Sequence, residues 1–103
     1  MGGAVFITSG NLLSTSTRAF DYLAERMRPH LRAEVVTTAY APMDEGGMTF
    51  ISFESLGTAD FLHVLKVATD LSHSESASMP ESPYLVWWER LLQLLRADVR
   101  ASV

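Results

Sequence analysis

Cysteine is absent from the 103-residue chain, and this absence removes three kinds of chemistry. Disulfide bonds, thiolate nucleophiles and thiolate metal sites are all excluded. Histidine is scarce as well, and His30, His63 and His73 lie far apart in the sequence. Helical metal ligands are usually about three or four residues apart. We therefore expect no metal site and no cofactor.

Long hydrophobic runs are also missing. The apolar segment nearest the N-terminus covers only residues 4–7. A membrane-spanning helix needs about 20 apolar residues, and the apolar part of a signal peptide about 7–15. We therefore expect a cytoplasmic protein that does not interact with a membrane.

Positive charge is in short supply, because eight basic residues face twelve acidic ones and the net charge is -4. This balance disfavours binding to the phosphate backbone of a nucleic acid. The basic residues are seven arginines and the single Lys66, a ratio typical of GC-rich bacterial genomes. We expect a bacterial protein whose partner is not a nucleic acid.

The length and the 48% content of apolar residues fit one domain covering residues 1–103. A core of this size leaves a net stability of only about 5–15 kcal/mol. Association with a second copy would add to it. The prediction at this point is a homodimer.

The N-terminal third has the pattern of a strand followed by a helix. Residues 4–8 are apolar and β-branched and run into the turn formers at 9–11, as at the end of a buried strand. Residues 14–17 are candidate N-caps. A buried helical stripe follows, formed by Phe20, Leu23, Met27 and Leu31.

The middle of the chain has the composition of a β-hairpin. Residues 34–41 and 48–56 are rich in β-branched and aromatic side chains, and the loop between them contains Gly46 and Gly47. A second amphipathic helix is expected from Thr58 onwards.

The last third divides into a polar segment and an apolar one. Residues 72–82 have too little apolar content to pack and predict a mobile loop. Ser82 and Pro83 then favour the start of a helix over about 83–100. The alternative is a fourth strand over 84–88 followed by a shorter helix.

These elements predict an α+β fold. We expect a ferredoxin-like or related β-α-β-β-α arrangement, with an antiparallel sheet, helices on one face and an amphipathic helix at the C-terminus.

The C-terminal segment carries most of the candidate binding residues, because both tryptophans and five leucines lie within 84–95. An apolar surface of this extent has to be buried in the core or against another molecule. Trp87, Leu91 and Leu94 are the candidate interface residues. A ligand pocket is expected to involve Phe50, Phe53, Phe61 and Trp88. No residue pattern identifies a catalytic group.

A pattern of aromatic strand, acidic turn and helix occurs in the second half of the chain. It consists of residues 48–56, the sequence Ala59-Asp60-Phe61-Leu62, and later Ser82-Pro83-Tyr84 with Trp88 and residues 91–92. This pattern resembles the second half of the dimeric α+β-barrel superfamily, which includes domains of the antibiotic-biosynthesis-monooxygenase type. The resemblance implies a ferredoxin-like fold, a dimeric barrel and a cleft for small organic molecules. It aligns no catalytic residue.

Three functions follow from these patterns. The first is a homo-oligomeric domain that binds a protein or a small apolar ligand. The second is a cofactor-independent monooxygenase, isomerase or cyclase acting on an aromatic or polyketide-like molecule. The third is an acidic inhibitor or immunity protein that neutralises a basic toxin by charge complementarity. Clustering of four carboxylates on one surface would favour the third function: Asp44, Glu45, Glu75 and Glu81.

Overall fold

A computed structural model describes residues 2–102 of the protein. The chain opens with a hairpin made by β1 (Gly2–Thr8) and β2 (Asn11–Ser16). Gly10 occupies the turn with a φ of 85°, a conformation that glycine adopts without steric cost. The observed hairpin therefore lies in the segment where the sequence predicted a strand, a turn and helix caps.

Helices fill the region between the hairpin and the last strand. They are α1 (Thr17–Met27), a 3₁₀ turn (Arg28–His30), α2 (Ala33–Ala39) and α3 (Ala41–Asp44). Helix α1 begins directly after β2, and the Ser16 hydroxyl caps it by accepting a hydrogen bond from the Ala19 amide at 3.1 Å.

The strand predicted at 34–41 is wrong, since most of this segment forms α2. Val35 and Ala39 are fully buried and lie four residues apart, so a helix buries both on one side. The start of α2 is held by His63, whose Nε2 accepts a hydrogen bond from the Arg32 amide at 3.1 Å. This tertiary contact acts against the strand propensity of the local sequence.

Strand β3 (Phe50–Ser52) completes a sheet with the order β2-β1-β3. It pairs with β1 in parallel, so the sheet is mixed and the predicted antiparallel sheet is wrong. The α+β class is confirmed. The ferredoxin-like arrangement is not confirmed by the three strands observed among residues 2–102. The resemblance to the dimeric α+β-barrel superfamily stays a prediction.

Two long helices follow, α4 (Thr58–Ser78) and α5 (Leu85–Ala97), and a final 3₁₀ turn covers Val99–Ser102. The loop predicted at 72–82 is shorter than expected, because α4 continues to Ser78. Residues 85–88 are helical, which agrees with the predicted C-terminal helix and not with a fourth strand.

One face of the sheet joins the core and the other does not. The inward side chains of the sheet pack with α1, α4 and α5. Gly3 allows a close approach of α1, since a Cβ there would come within 2.4 Å of the Phe20 Cβ. The inward sheet residues of this core are Val5, Ile7, Leu13 and Ile51.

Candidate protein-binding surface

The structure separates the four residues that were predicted to form a ligand pocket. Phe53, Phe61 and Trp88 are fully buried in the core. Phe50 is half-buried on the opposite, outer face of the sheet, where its ring meets Phe6 edge-on with 5.2 Å between centroids. The four side chains therefore do not line a common cavity.

The predicted interface residues on α5 also differ in position. Leu91 is fully buried, so no surface of this side chain is left for a partner. Trp87 and Leu94 are partly buried against the core. The Arg90 guanidinium lies 5.0 Å from the centre of a Trp87 ring. An interface role for Trp87 and Leu94 stays a prediction.

Glu75 is a fully buried carboxylate at the centre of a hydrogen-bond cluster that sequence reasoning missed. It accepts hydrogen bonds from the Tyr22 hydroxyl, from the Ser82 hydroxyl and, at 3.1 Å, from the Trp88 indole nitrogen. These contacts join α1, α4, the loop and α5 at one point. The rings of Tyr22 and Tyr84 stack beside them with 3.8 Å between centroids.

Opposing effects determine the ionisation of this cluster. Burial is the largest effect on Glu75 and raises its pKa, but the hydrogen bonds from Ser82, Tyr22 and Trp88 together outweigh it, so the pKa is lowered from its usual value. Burial, followed by the hydrogen bond to Glu75 and its negative charge, raises the pKa of Tyr22 to about 12. Glu75 is therefore an ionised acceptor at neutral pH.

The apolar stripe of α4 contained a signal for this burial. Phe61, Val64, Ala68, Leu71 and Glu75 follow one another at spacings of three or four residues and all are buried. Extending the stripe to Glu75 would have placed its carboxylate in the core. A buried carboxylate needs hydrogen-bond donors, and tyrosine, serine and tryptophan can supply them.

Arg100 holds the C-terminal turn against the end of the sheet. Its guanidinium donates to the backbone carbonyls of Ile7, Phe53 and Leu56, each at 2.8 Å. The Asp98 carboxylate accepts the remaining two bonds at 2.8 and 2.9 Å, and these bonds are the main cause that lowers the Asp98 pKa. All five N–H donors of the guanidinium are thus used. The sequence contained no local signal for this arrangement.

A groove of about 260 Å³ opens beside Arg100, where β1 ends and β2 begins. Its wall includes the exposed carboxylate of Glu54 and the side chain of Val99, which is 82% exposed. Arg100 compensates the charge of Asp98. The lining residues are Thr8, Asn11, Glu54, Leu56, Ala97, Asp98, Val99 and Arg100.

The four carboxylates whose clustering would have favoured an inhibitor do not share one surface. Glu75 is in the core. Asp44 forms a two-pronged ion pair with Arg28, with N–O distances of 2.7 and 2.9 Å. Seven carboxylates are exposed and make no ion pair within residues 2–102: Asp21, Glu25, Glu34, Glu45, Glu54, Glu81 and Glu89.

No group of three or more His, Asp or Glu residues within 2–102 is arranged to hold a metal ion. In the same range, no helix is long and apolar enough to cross a membrane.

Comparison with known proteins identifies the family. No protein-family model matches the chain. A curated protein, the immunity protein CdiI of Burkholderia pseudomallei, is 31% identical over an alignment of 109 residues that covers 100% of this chain and 97% of the relative. The chain belongs to the CdiI immunity protein family.

A solved structure agrees with this membership. It contains the CdiA-CT toxin of B. pseudomallei E479 in complex with its cognate CdiI immunity protein. The similar chain has 31% sequence identity and a TM-score of 0.86, and the match covers 95% of this CdiI-family chain and 97% of the other. The same fold thus extends over nearly the whole length of both.

The family membership corrects the predicted partner. The homodimer is wrong, since the CdiI protein in the solved complex is bound to a toxin, which is a different protein. A protein-binding function is supported. Of the three predicted functions, the immunity protein fits the relatives better than the homo-oligomeric binding domain.

Proposed function

We propose that this protein is an immunity protein that binds a CdiA-CT-type toxin domain and neutralises it in the cytoplasm. One observation carries the proposal: a chain with the same fold over 95% of this protein, and 31% identical to it, is the cognate immunity protein in a toxin complex. Inhibition by binding needs a stable surface that matches the toxin. It needs no catalytic group on the immunity protein.

The interior of the protein fits such a role. Large side chains that were candidates for a substrate pocket are fully buried and contribute to packing, among them Phe53, Phe61 and Trp88. The buried ionisable groups are satisfied by neighbours, as Glu75 is by three donors and Asp98 by Arg100. A rigid scaffold of this kind loses little conformational entropy when it binds.

The charge of the protein supports a basic partner. The net charge is -4, and seven exposed carboxylates make no ion pair within residues 2–102. Uncompensated negative charge accelerates association with a positively charged protein and discriminates against acidic partners. The association rate should therefore fall as salt concentration rises.

The test is protection together with binding. The chain is co-produced in a bacterial host with each member of a panel of CdiA-CT toxin domains that includes the one from B. pseudomallei E479. We expect the chain to restore growth against at least one toxin and to form a one-to-one complex with it in sedimentation and calorimetry. Failure to protect against, or bind, any member of the panel would contradict the proposal.

A further inference from the structure

The outer face of the sheet, which packs against no part of the core, continues into the groove beside Arg100. We infer that this continuous area, called the sheet-end surface, is where the toxin domain docks, with an apolar toxin side chain over the sheet and a basic one against Glu54. The inference rests on the proposed function and adds the location and chemistry of the contact. The sheet-end surface consists of Phe6, Asn11, Leu12, Phe50, Glu54 and Val99.

The apolar half of the surface follows from strand register. Leu12 on β2 lies opposite Phe6 on β1, and both side chains are on the outer face because their neighbours Val5 and Leu13 point into the core. The ring of Phe6 then meets that of Phe50 on β3. The row crosses all three strands, and at its β2 end Leu12 is 43% exposed.

The polar half adjoins this row directly. The next pair along the β1–β2 ladder is Thr8 with Asn11, and both line the groove. On the other side, Ser52 is the register partner of Phe6, and Glu54 follows two residues later. An apolar row bordered by a polar, water-accessible rim is the usual organisation of a protein–protein interface.

The charge of the groove indicates what it receives. Arg100 uses all of its donors and neutralises Asp98, so neither residue leaves a free charge. The Glu54 carboxylate, which makes no ion pair within residues 2–102, is the remaining charge among the eight lining residues. A lysine or arginine of the toxin would supply the missing partner.

The groove is also held in a fixed shape before binding. The bonds from Arg100 to the carbonyls of Ile7, Phe53 and Leu56 tie together β1, the segment after β3 and the C-terminal turn. Binding then requires little ordering of the backbone, which favours affinity. A second copy of this chain would bring another Glu54 or another net charge of -4, so the surface suits a basic toxin better than a homodimer.

The test compares two variants on the surface with two matched variants elsewhere. Leu12→Asp is paired with Val86→Asp on α5, because the side chains are 43% and 46% exposed. Glu54→Lys is paired with Glu89→Lys, because both carboxylates are exposed and make no ion pair within 2–102. The dissociation constant is measured by calorimetry with the toxin domain that the unmodified chain binds in the panel, and the melting temperature of each variant checks its folding.

We expect each surface variant to weaken binding by about tenfold or more, which is the range of an interface hot spot. Each control should bind within about twofold of the unmodified chain. Loss of binding in Val86→Asp or Glu89→Lys, with full binding by the surface variants, would overturn the inference and leave the proposed function intact. If the unmodified chain bound no toxin in the panel, the proposed function would fail and the inference with it.

A second measurement does not depend on the folding of variants. Hydrogen exchange of the unmodified chain is followed with and without the bound toxin. We expect slower exchange at residues 8–14 and 54–56 in the complex. Protection confined to α4 and α5 would overturn the inference.

Discussion

Glu75 offers the strictest test of how this fold is held together, because one buried carboxylate joins four parts of the chain. Glu75→Ala removes the acceptor of three hydrogen bonds and leaves the Trp88 N–H unpaired in the core. Glu75→Gln keeps the volume, and the hydroxyls of Tyr22 and Ser82 can turn to accept from its amide. The two variants thus separate loss of the side chain from loss of its charge.

The expected magnitudes follow from these contacts. A hydrogen bond to a charged group contributes about 1.5–3 kcal/mol, and the three bonds are not additive because they share one acceptor. We expect Glu75→Ala to lower the free energy of unfolding by about 3–5 kcal/mol, as for breaking a buried charged network. Glu75→Gln should cost about 1–3 kcal/mol. The exposed Glu89→Gln is the control, with a change within about 0.5 kcal/mol.

The pH dependence identifies the charge as the cause. The folded pKa of Glu75 is lowered, so its ionised form stabilises the fold fully above the unfolded pKa of about 4.3, and this stabilisation is lost as the pH falls through the folded pKa. The glutamine variant lacks this titration. Urea unfolding is measured for both proteins between about pH 7 and pH 3. We expect the difference in their free energies of unfolding to shrink at low pH.

A difference that stayed constant over this pH range would refute the reasoning, since Glu75 would then have the same pKa in the folded and the unfolded protein. A difference that grew at low pH would show that the folded protein binds the proton more tightly than the unfolded chain. That result would mean that burial outweighs the three hydrogen bonds.

Three further predictions concern single substitutions. Arg100→Lys should lower the free energy of unfolding by about 2–4 kcal/mol, because lysine has three donors on one ammonium group, whereas the planar guanidinium has five. Thermal unfolding measures this loss, and the exposed Arg96→Lys is the near-neutral control. Tyr22→Phe should reduce the loss of stability between about pH 10 and pH 12, because the unfolded tyrosine ionises there while the folded one, with a pKa of about 12, stays protonated. Urea unfolding of both proteins at alkaline pH measures this, and equal slopes of the free energy of unfolding against pH would contradict it. Tyr40→Phe removes the 2.6 Å bond from the buried hydroxyl to the Ala24 carbonyl and should cost about 1 kcal/mol, which denaturant unfolding at neutral pH can resolve.

Strong helical periodicity was sufficient to predict α4 and α5 from the sequence. Phe61, Ala68 and Leu71 on α4 are buried as the predicted stripe requires. On α5 the predicted stripe residues Trp88, Leu92 and Leu95 are buried as well. The segment 34–41 and strand β2 were misassigned for the opposite reason. Their local preferences are weak or favour a different structure. Contacts elsewhere in the chain hold their conformation: His63 binds the start of α2, and β2 pairs with β1.

The candidate site could be predicted only in part. The net negative charge suggested a basic partner, and it remains relevant in Glu54 and the other exposed carboxylates. The sequence could not show that Glu75 is withdrawn into the core or that Arg100 neutralises Asp98. It also could not show that Leu12 lies beside Phe6, since a shift of one residue in register would have turned Leu12 inward.

By itself, the sequence determined the composition-dependent properties of this protein: an α+β chain without thiol chemistry, with a net negative charge and amphipathic helices. Those properties depend on residue types and on short periodic spacings. The tertiary structure decided which charges are free, which aromatic residues fill the core and which face of the sheet stays open. These depend on contacts between residues that are far apart in the chain, such as Ile7 and Arg100, and no local pattern encodes such contacts.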